Sequence, residues 1–161
     1  MRVEERIGRR LRREGATISV AESCTGGLIA HRITNVSGSS DYFESGVVSY
    51  SNESKADLLG VRLSLIDDHG AVSEPVARAM AEGIRRKRNT TLGLATTGVA
   101  GPLGGTARSP VGTVFIALSG PNGTAVRRFC FKGTRLKVKR LAADKALEMV
   151  LEYYEERDTI G

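Results

Sequence analysis

Apolar residues along this chain change period repeatedly, and each change marks an element boundary. Val3, Ile7 and Leu11 share one face of an otherwise basic stretch, which predicts a helix from about Val3 to Arg13 with Gly15 as its stop. Thr17-Ile18-Ser19-Val20 reads as a short strand, and Leu28 to Ile33 returns to helical spacing. Gly38-Ser39-Ser40 is a loop, followed by a strand from Phe43 to Tyr50 with Gly46 inside it. Ser51 or Asn52 caps a helix running through Lys55 to Leu59 and closed by Gly60. A helical turn around Leu63 to Asp67 leads to His69-Gly70. Ser73-Glu74-Pro75 then starts a helix whose apolar face is Val76, Met80 and Ile84. Leu92 to Thr96 has the pattern of a buried strand and opens into a Gly/Pro-rich loop from Gly98 to Pro110. Thr113–Leu118 and Val126–Phe131 are strands on either side of Pro121-Asn122-Gly123, where Asn-Gly signals a hairpin. A long helix from about Thr134 to Arg157 ends the pattern, with Leu141, Leu147, Val150 and Leu151 facing inward.

This alternation predicts an α/β fold, a mixed sheet covered by helices on both sides, in one domain spanning residues 1–161. The chain is 40% apolar and 26% charged, which is ordinary for a globular protein. No apolar run reaches the ~18–20 residues of a membrane span, and no apolar segment follows the charged N-terminus as in a secretory signal. Cys24 and Cys130 stand far apart without metal-ligand spacing, so neither a disulfide scaffold nor a metal is expected, and the expected setting is cytoplasmic and reducing. The net charge of +6 raises nucleic acid as a partner. However, the Arg and Lys residues cluster on expected helix faces and no nucleic-acid motif is present. Aromatic residues are only 5% of the chain, which offers bases little to stack on. No specific nucleic-acid partner and no membrane partner are therefore expected, and a phosphate-bearing small molecule is a more economical use of part of the charge.

Three polar clusters follow strands: Ala21–Gly27 (AESCTGG), Tyr50–Lys55 (YSNESK) and Thr96–Pro102 (TTGVAGP). Small hydroxyls and paired glycines at a strand-to-helix turn let a ligand approach free backbone N–H groups; an N-cap with a glycine turn is the plainer reading of the first cluster alone. Ser23 needs a base to act as a nucleophile, and His31 and His69 are poorly placed to be one. Lys55, in the first turns of a helix just past a strand, is the better candidate, since burial brings a lysine into the range of a base. Tyr50 either relays the proton or orients the serine. Ligands in open α/β sheets bind beyond the carboxyl ends of strands, so the three clusters converge if their strands run parallel.

With these motifs in view, the chain resembles the CinA-type C-terminal domain family, whose active members are nicotinamide-nucleotide amidases. The matching segments are AESCTGG (21–27), Gly38-Ser39-Ser40, YSNESK (50–55), GAVSEP (70–75), TGVAGP (97–102) and PVGTV (110–114). The resemblance implies a three-layer αβα sandwich with a mostly parallel sheet, a homo-oligomer and no cofactor. It implies hydrolysis of nicotinamide mononucleotide to nicotinate mononucleotide and ammonia without a metal, in pyridine-nucleotide recycling. By the same resemblance Ser23 is the nucleophile, Lys55 the general base and Tyr50 its helper. Thr25, Gly26 and Gly27 become substrate and oxyanion contacts, Thr97 and Gly98 lie on the substrate, and Arg135 or Arg140 holds the 5′-phosphate. Two positions depart from the family pattern. Leu103 stands where Gly-Pro-Asp-Gly-Gly is common, and Leu141 follows Arg140 where Arg-Gln is common. They frame an alternative, a pyridine-nucleotide-binding or regulatory module without turnover.

Overall fold

Strand β1 (Ile18–Glu22) is the centre of the parallel part of the sheet, and the AESCTGG segment runs off its C-terminal end. The computed structural model describes residues 1–160. The strand order is β2-β1-β3-β4-β5, with β2 at Phe43–Val48, β3 at Leu92–Gly98, β4 at Thr113–Gly120 and β5 at Gly123–Cys130. β2, β1 and β3 run parallel, whereas β4 and β5 join antiparallel as a hairpin. The three strands that precede the polar clusters therefore all point the same way.

Helices cover both faces and make the three-layer αβα fold. One face carries α1 (Val3–Glu14), α2 (Leu28–Thr34) and α6 (Arg135–Ile160) over the bulky residues Ile18, Val20, Leu92, Leu94, Ile116 and Leu118. The other carries α3 (Asn52–Leu59), α4 (Leu63–His69) and α5 (Glu74–Arg88) over small ones. Ala21, Ala95 and Ala117 lie side by side in register across β1, β3 and β4 on that face. A Cβ on the neighbouring Gly93 would run into the Ala81 carbonyl of α5, so only glycine allows the helix to approach this closely. Strand alternation generates both faces from one sequence, Leu92-Gly93-Leu94-Ala95 being the plainest case.

The boundaries differ from the sequence reading in informative ways. β1 starts one residue later and extends two residues further than expected, to Glu22, because parallel pairing on both sides continues to Val48 and Thr96. β2 ends at Val48, not Tyr50. The hairpin turn is Pro121-Asn122, and Gly123 already pairs with Gly120 as the first residue of β5. Ser39–Asp41 forms a 3₁₀ turn within the expected loop. Leu141 is half-buried rather than part of the core that holds Leu147, Val150 and Leu151.

Candidate active site

Because β1 alternates, its last residues face opposite ways. Ala21 packs among the α5 residues, whereas Glu22 reaches the first amides of α2 on the other face. Ser23 follows, its N–H donating to the Thr96 carbonyl at 3.0 Å, and its side chain meets Lys55 of α3. Ser51 caps that helix by accepting the Ser54 N–H at 3.0 Å, which fixes where the first turn begins and so where Lys55 falls.

Lys55 is 1% exposed. Its Nζ lies 3.1 Å from Ser23 Oγ and donates to the Ser49 carbonyl at 2.9 Å and the Tyr50 carbonyl at 3.3 Å. Among the described residues no carboxylate forms an ion pair with it. Burial without a counter-ion pushes its pKa below that of a free lysine; the nearby Cys24 thiol acts weakly the other way. A neutral amine has two N–H donors and one lone pair. The two carbonyls match the donors, which leaves the lone pair for the serine hydroxyl.

Cys24, beside the serine, sits in the core on the α2/α6 face, and desolvation pushes its thiol up to about 12. It stays protonated at neutral pH and is no rival nucleophile.

The turn that follows is held tightly. Glu22, 1% exposed, accepts the N–H of Ile29 at 2.9 Å, the N–H of Ala30 at 3.1 Å and the Thr25 hydroxyl at 2.6 Å. Thr25 Oγ1 also lies 2.8 Å from Thr96 Oγ1. Gly26 and Gly27 have φ of 60° and 97°, a left-handed region that favours glycine. The Gly26 N–H closes onto the Ser23 carbonyl at 3.0 Å. Among the described residues, the N–H groups of Cys24, Thr25 and Gly27 have no oxygen acceptor.

Ser23 and Lys55 are thus brought together, while several of the other expected residues have partners within the protein. The hydroxyl of Thr25 is committed to Glu22 and Thr96, leaving only its backbone for a ligand. The hydroxyl of Thr97 donates to the Ala71 carbonyl at 2.8 Å and ties down the GAVSEP segment. A Cβ on Gly98 would press on Thr113 and Val114 of β4, so packing alone already requires glycine there. Tyr50 is 59% exposed, and its phenol accepts from Arg135 Nη2 at 2.9 Å instead of meeting Ser23; its carbonyl is what touches Lys55. The other Arg135 nitrogen donates to the Gly101 carbonyl at 2.9 Å, so this side chain bridges the loops after β2 and β3. Arg140 is exposed on α6. Leu103 is 85% exposed on the loop after β3.

Two residues escaped the sequence reading. Glu22 lay within a motif but received no role; a carboxylate just past a strand, among the small residues Ala21 and Ser23, was the available signal. Lys139 lies on α6 with its Nζ 3.3 Å from where a Gly26 Cβ would stand. It lines a cleft of about 370 Å³ with Thr25, Gly26, Gly27, Leu28, His31 and Leu136. Only the helix's packing against the turn could reveal it. A larger cleft of about 570 Å³ contains His69, the GAVSEP segment, Arg108 and Arg128, and shares no residue with Ser23 or Lys55.

The family model of the CinA C-terminal domain matches residues 1–154. The chain belongs to this family. A CinA-like protein of Syntrophus aciditrophicus (strain SB) is 56% identical over 138 residues, 85% of this chain and 33% of the relative. One from Citrifermentans bemidjiense is 48% identical over 157 residues, 98% of this chain and 38% of the relative. The chain therefore spans about a third of the length of the curated relatives it matches. Among solved structures, the competence/damage inducible protein CihA from Agrobacterium tumefaciens superposes with a TM-score of 0.87 at 36% identity, covering 94% of this chain and 96% of that one. A CinA superfamily protein from Escherichia coli gives 0.91 at 29% identity, covering 94% and 88%. Among the described residues, no helix of this CinA-family chain is long and apolar enough to cross a membrane.

Proposed function

We propose that this CinA C-terminal domain is an amidohydrolase that converts nicotinamide mononucleotide to nicotinate mononucleotide and ammonia through a Ser23–Lys55 pair. The observation that carries this reading is the 3.1 Å contact between Ser23 Oγ and a buried amine with no counter-ion. Neutral Lys55 takes the serine proton as Oγ attacks the carboxamide carbon. The resulting ammonium has three donors, two of which the Ser49 and Tyr50 carbonyls accept. The third returns the proton to the departing nitrogen, and ammonia leaves. Water, deprotonated by the same amine, then hydrolyses the acyl-serine. The N–H groups of Thr25 and Gly27, which have no acceptor within the protein, stabilise the tetrahedral oxyanion, each such donor supplying ~10²–10³ in rate. Lys139, lining the cleft beside Gly26, joins Arg135 and Arg140 of the same helix as cations for the nucleotide phosphate. The domain works in the cytoplasm as a homo-oligomer.

Purified protein is expected to release ammonia from nicotinamide mononucleotide, and Ser23→Ala to abolish the release. Full turnover by Ser23→Ala overturns the serine assignment. The exposed Leu103, in place of a family carboxylate, favours one rival, a nucleotide-binding module without turnover. Calorimetric binding of the mononucleotide without ammonia release selects that rival.

A further inference from the structure

We infer that Glu22 is a positioning residue, acting through Thr25 to hold the nucleophile turn open for an oxyanion; the inference rests on the amidohydrolase reading above. Its carboxylate caps α2 from seven residues before Ile29, so its hydrogen bonds to Ile29, Ala30 and Thr25 close a ring around Ser23–Gly27. An ordinary cap comes from the residue next to the helix and constrains nothing upstream. Thr96 clamps the same turn from β3 at two points, its carbonyl on the Ser23 N–H and its hydroxyl on Thr25. Ser23 is thereby fixed on one side of Cys24 and Thr25 on the other.

The charge matters as well as the shape. An ionised carboxylate only accepts, and every neighbour offered to Glu22 is a donor. With the first amides of α2 and the Ser23 and Gly26 N–H groups already satisfied, the N–H groups left free in the turn are those of Thr25 and Gly27. The carboxylate also lies across the sheet from Lys55, so it holds the turn without pairing with the base. In Glu22→Gln the amide nitrogen would face an N–H donor and part of the ring would open. Thr25→Val removes the hydroxyl that joins Glu22 to Thr96, and Thr25→Ser keeps it.

The test measures kcat and KM for ammonia release, the rate of Ser23 labelling by a fluorophosphonate, and deuterium uptake across residues 23–30, in wild type and all three variants. Thr25→Val and Glu22→Gln are expected to lower kcat about 10²-fold, the scale of one lost oxyanion donor, with KM within about twofold. Labelling slows about tenfold, uptake in the turn accelerates, and Thr25→Ser behaves as wild type. If the wild type labels but releases no ammonia, the amidase reading fails while the labelling rates still decide the role of Glu22. If the serine does not label at all, deuterium uptake decides it. Folded Thr25→Val with wild-type labelling and uptake overturns the inference, as does a Thr25→Ser as impaired as Thr25→Val. Should Glu22→Gln not fold, the two Thr25 variants decide alone.

Discussion

The two faces of the sheet solve the same packing problem in opposite ways. Under α1, α2 and α6 the strands present Ile, Val and Leu, and the helices ride over a thick layer of side chains. Under α5 they present Ala21, Ala95, Ala117 and Gly93, and the helix lies almost on the backbone. Each face also buries one ionisable side chain beside Ser23. The thick face holds the Glu22 carboxylate on amide N–H groups, and the thin face holds the Lys55 amine on carbonyls. Neither side chain has the other as a partner, because Glu22 turns to the α2 face of the sheet and Lys55 reaches Ser23 from α3 on the other. The consequence is chemical. A carboxylate beside Lys55 would favour its ammonium form, whereas burial alone favours the neutral amine.

The largest effect should come from removing the thin-face amine. On the proposed amidohydrolase reading, Lys55→Met is expected to lower kcat/KM by about 10³-fold or more, measured by ammonia release, because it removes the proposed base of Ser23. A packing contrast comes next. Gly93→Val should destabilise by more than about 3 kcal/mol, since the obstructing Ala81 carbonyl is backbone and cannot turn aside. Leu94→Ala on the thick face leaves a cavity costing about 3 kcal/mol. Chemical denaturation measures both, and only the first variant should also shift α5 and weaken the Lys55–Ser23 contact.

The pH dependence sharpens the comparison further. The Lys55 value is depressed in the folded state, so this group's contribution to stability is full above the 10.5 of the unfolded chain and falls as pH drops towards the folded value. The stability of wild type relative to Lys55→Met should therefore grow with pH up to 10.5, read from melts across that window. The acidic limb of kcat/KM should have its midpoint below 10.5 for the same reason. A midpoint at or above it contradicts a neutral base. Smallest of all, Ser51→Ala should cost about 1 kcal/mol by removing the α3 cap, with a modest loss of activity as Lys55 loses its anchored turn.

Much of this was open to inspection in the chain. The helix period of α5, the Ser73-Glu74-Pro75 start and the Ser51 cap with its Gly60 stop are local signals, and local geometry obeyed them. The end of β1 was not local. Glu22 reads as a residue past the strand until parallel neighbours on both sides extend the ladder to it. Thr25 and Thr97 show the same limit at the site. A hydroxyl in a glycine-rich motif suits a ligand and a neighbouring carbonyl equally, and only the fold supplied Glu22, Thr96 and Ala71 as partners.

By itself, then, the amino-acid order determined which segments are helix and strand, where the turns fall and which serine and lysine are candidates for chemistry. These follow from period, caps and turn residues acting within a few positions of one another. Tertiary structure alone decided that Lys55 reaches Ser23 across 32 positions of sequence, that Glu22 lies on the far face, and that Lys139 overhangs Gly26. Those outcomes depend on strand order and on how closely each helix approaches the sheet, and no short stretch of the chain encodes either.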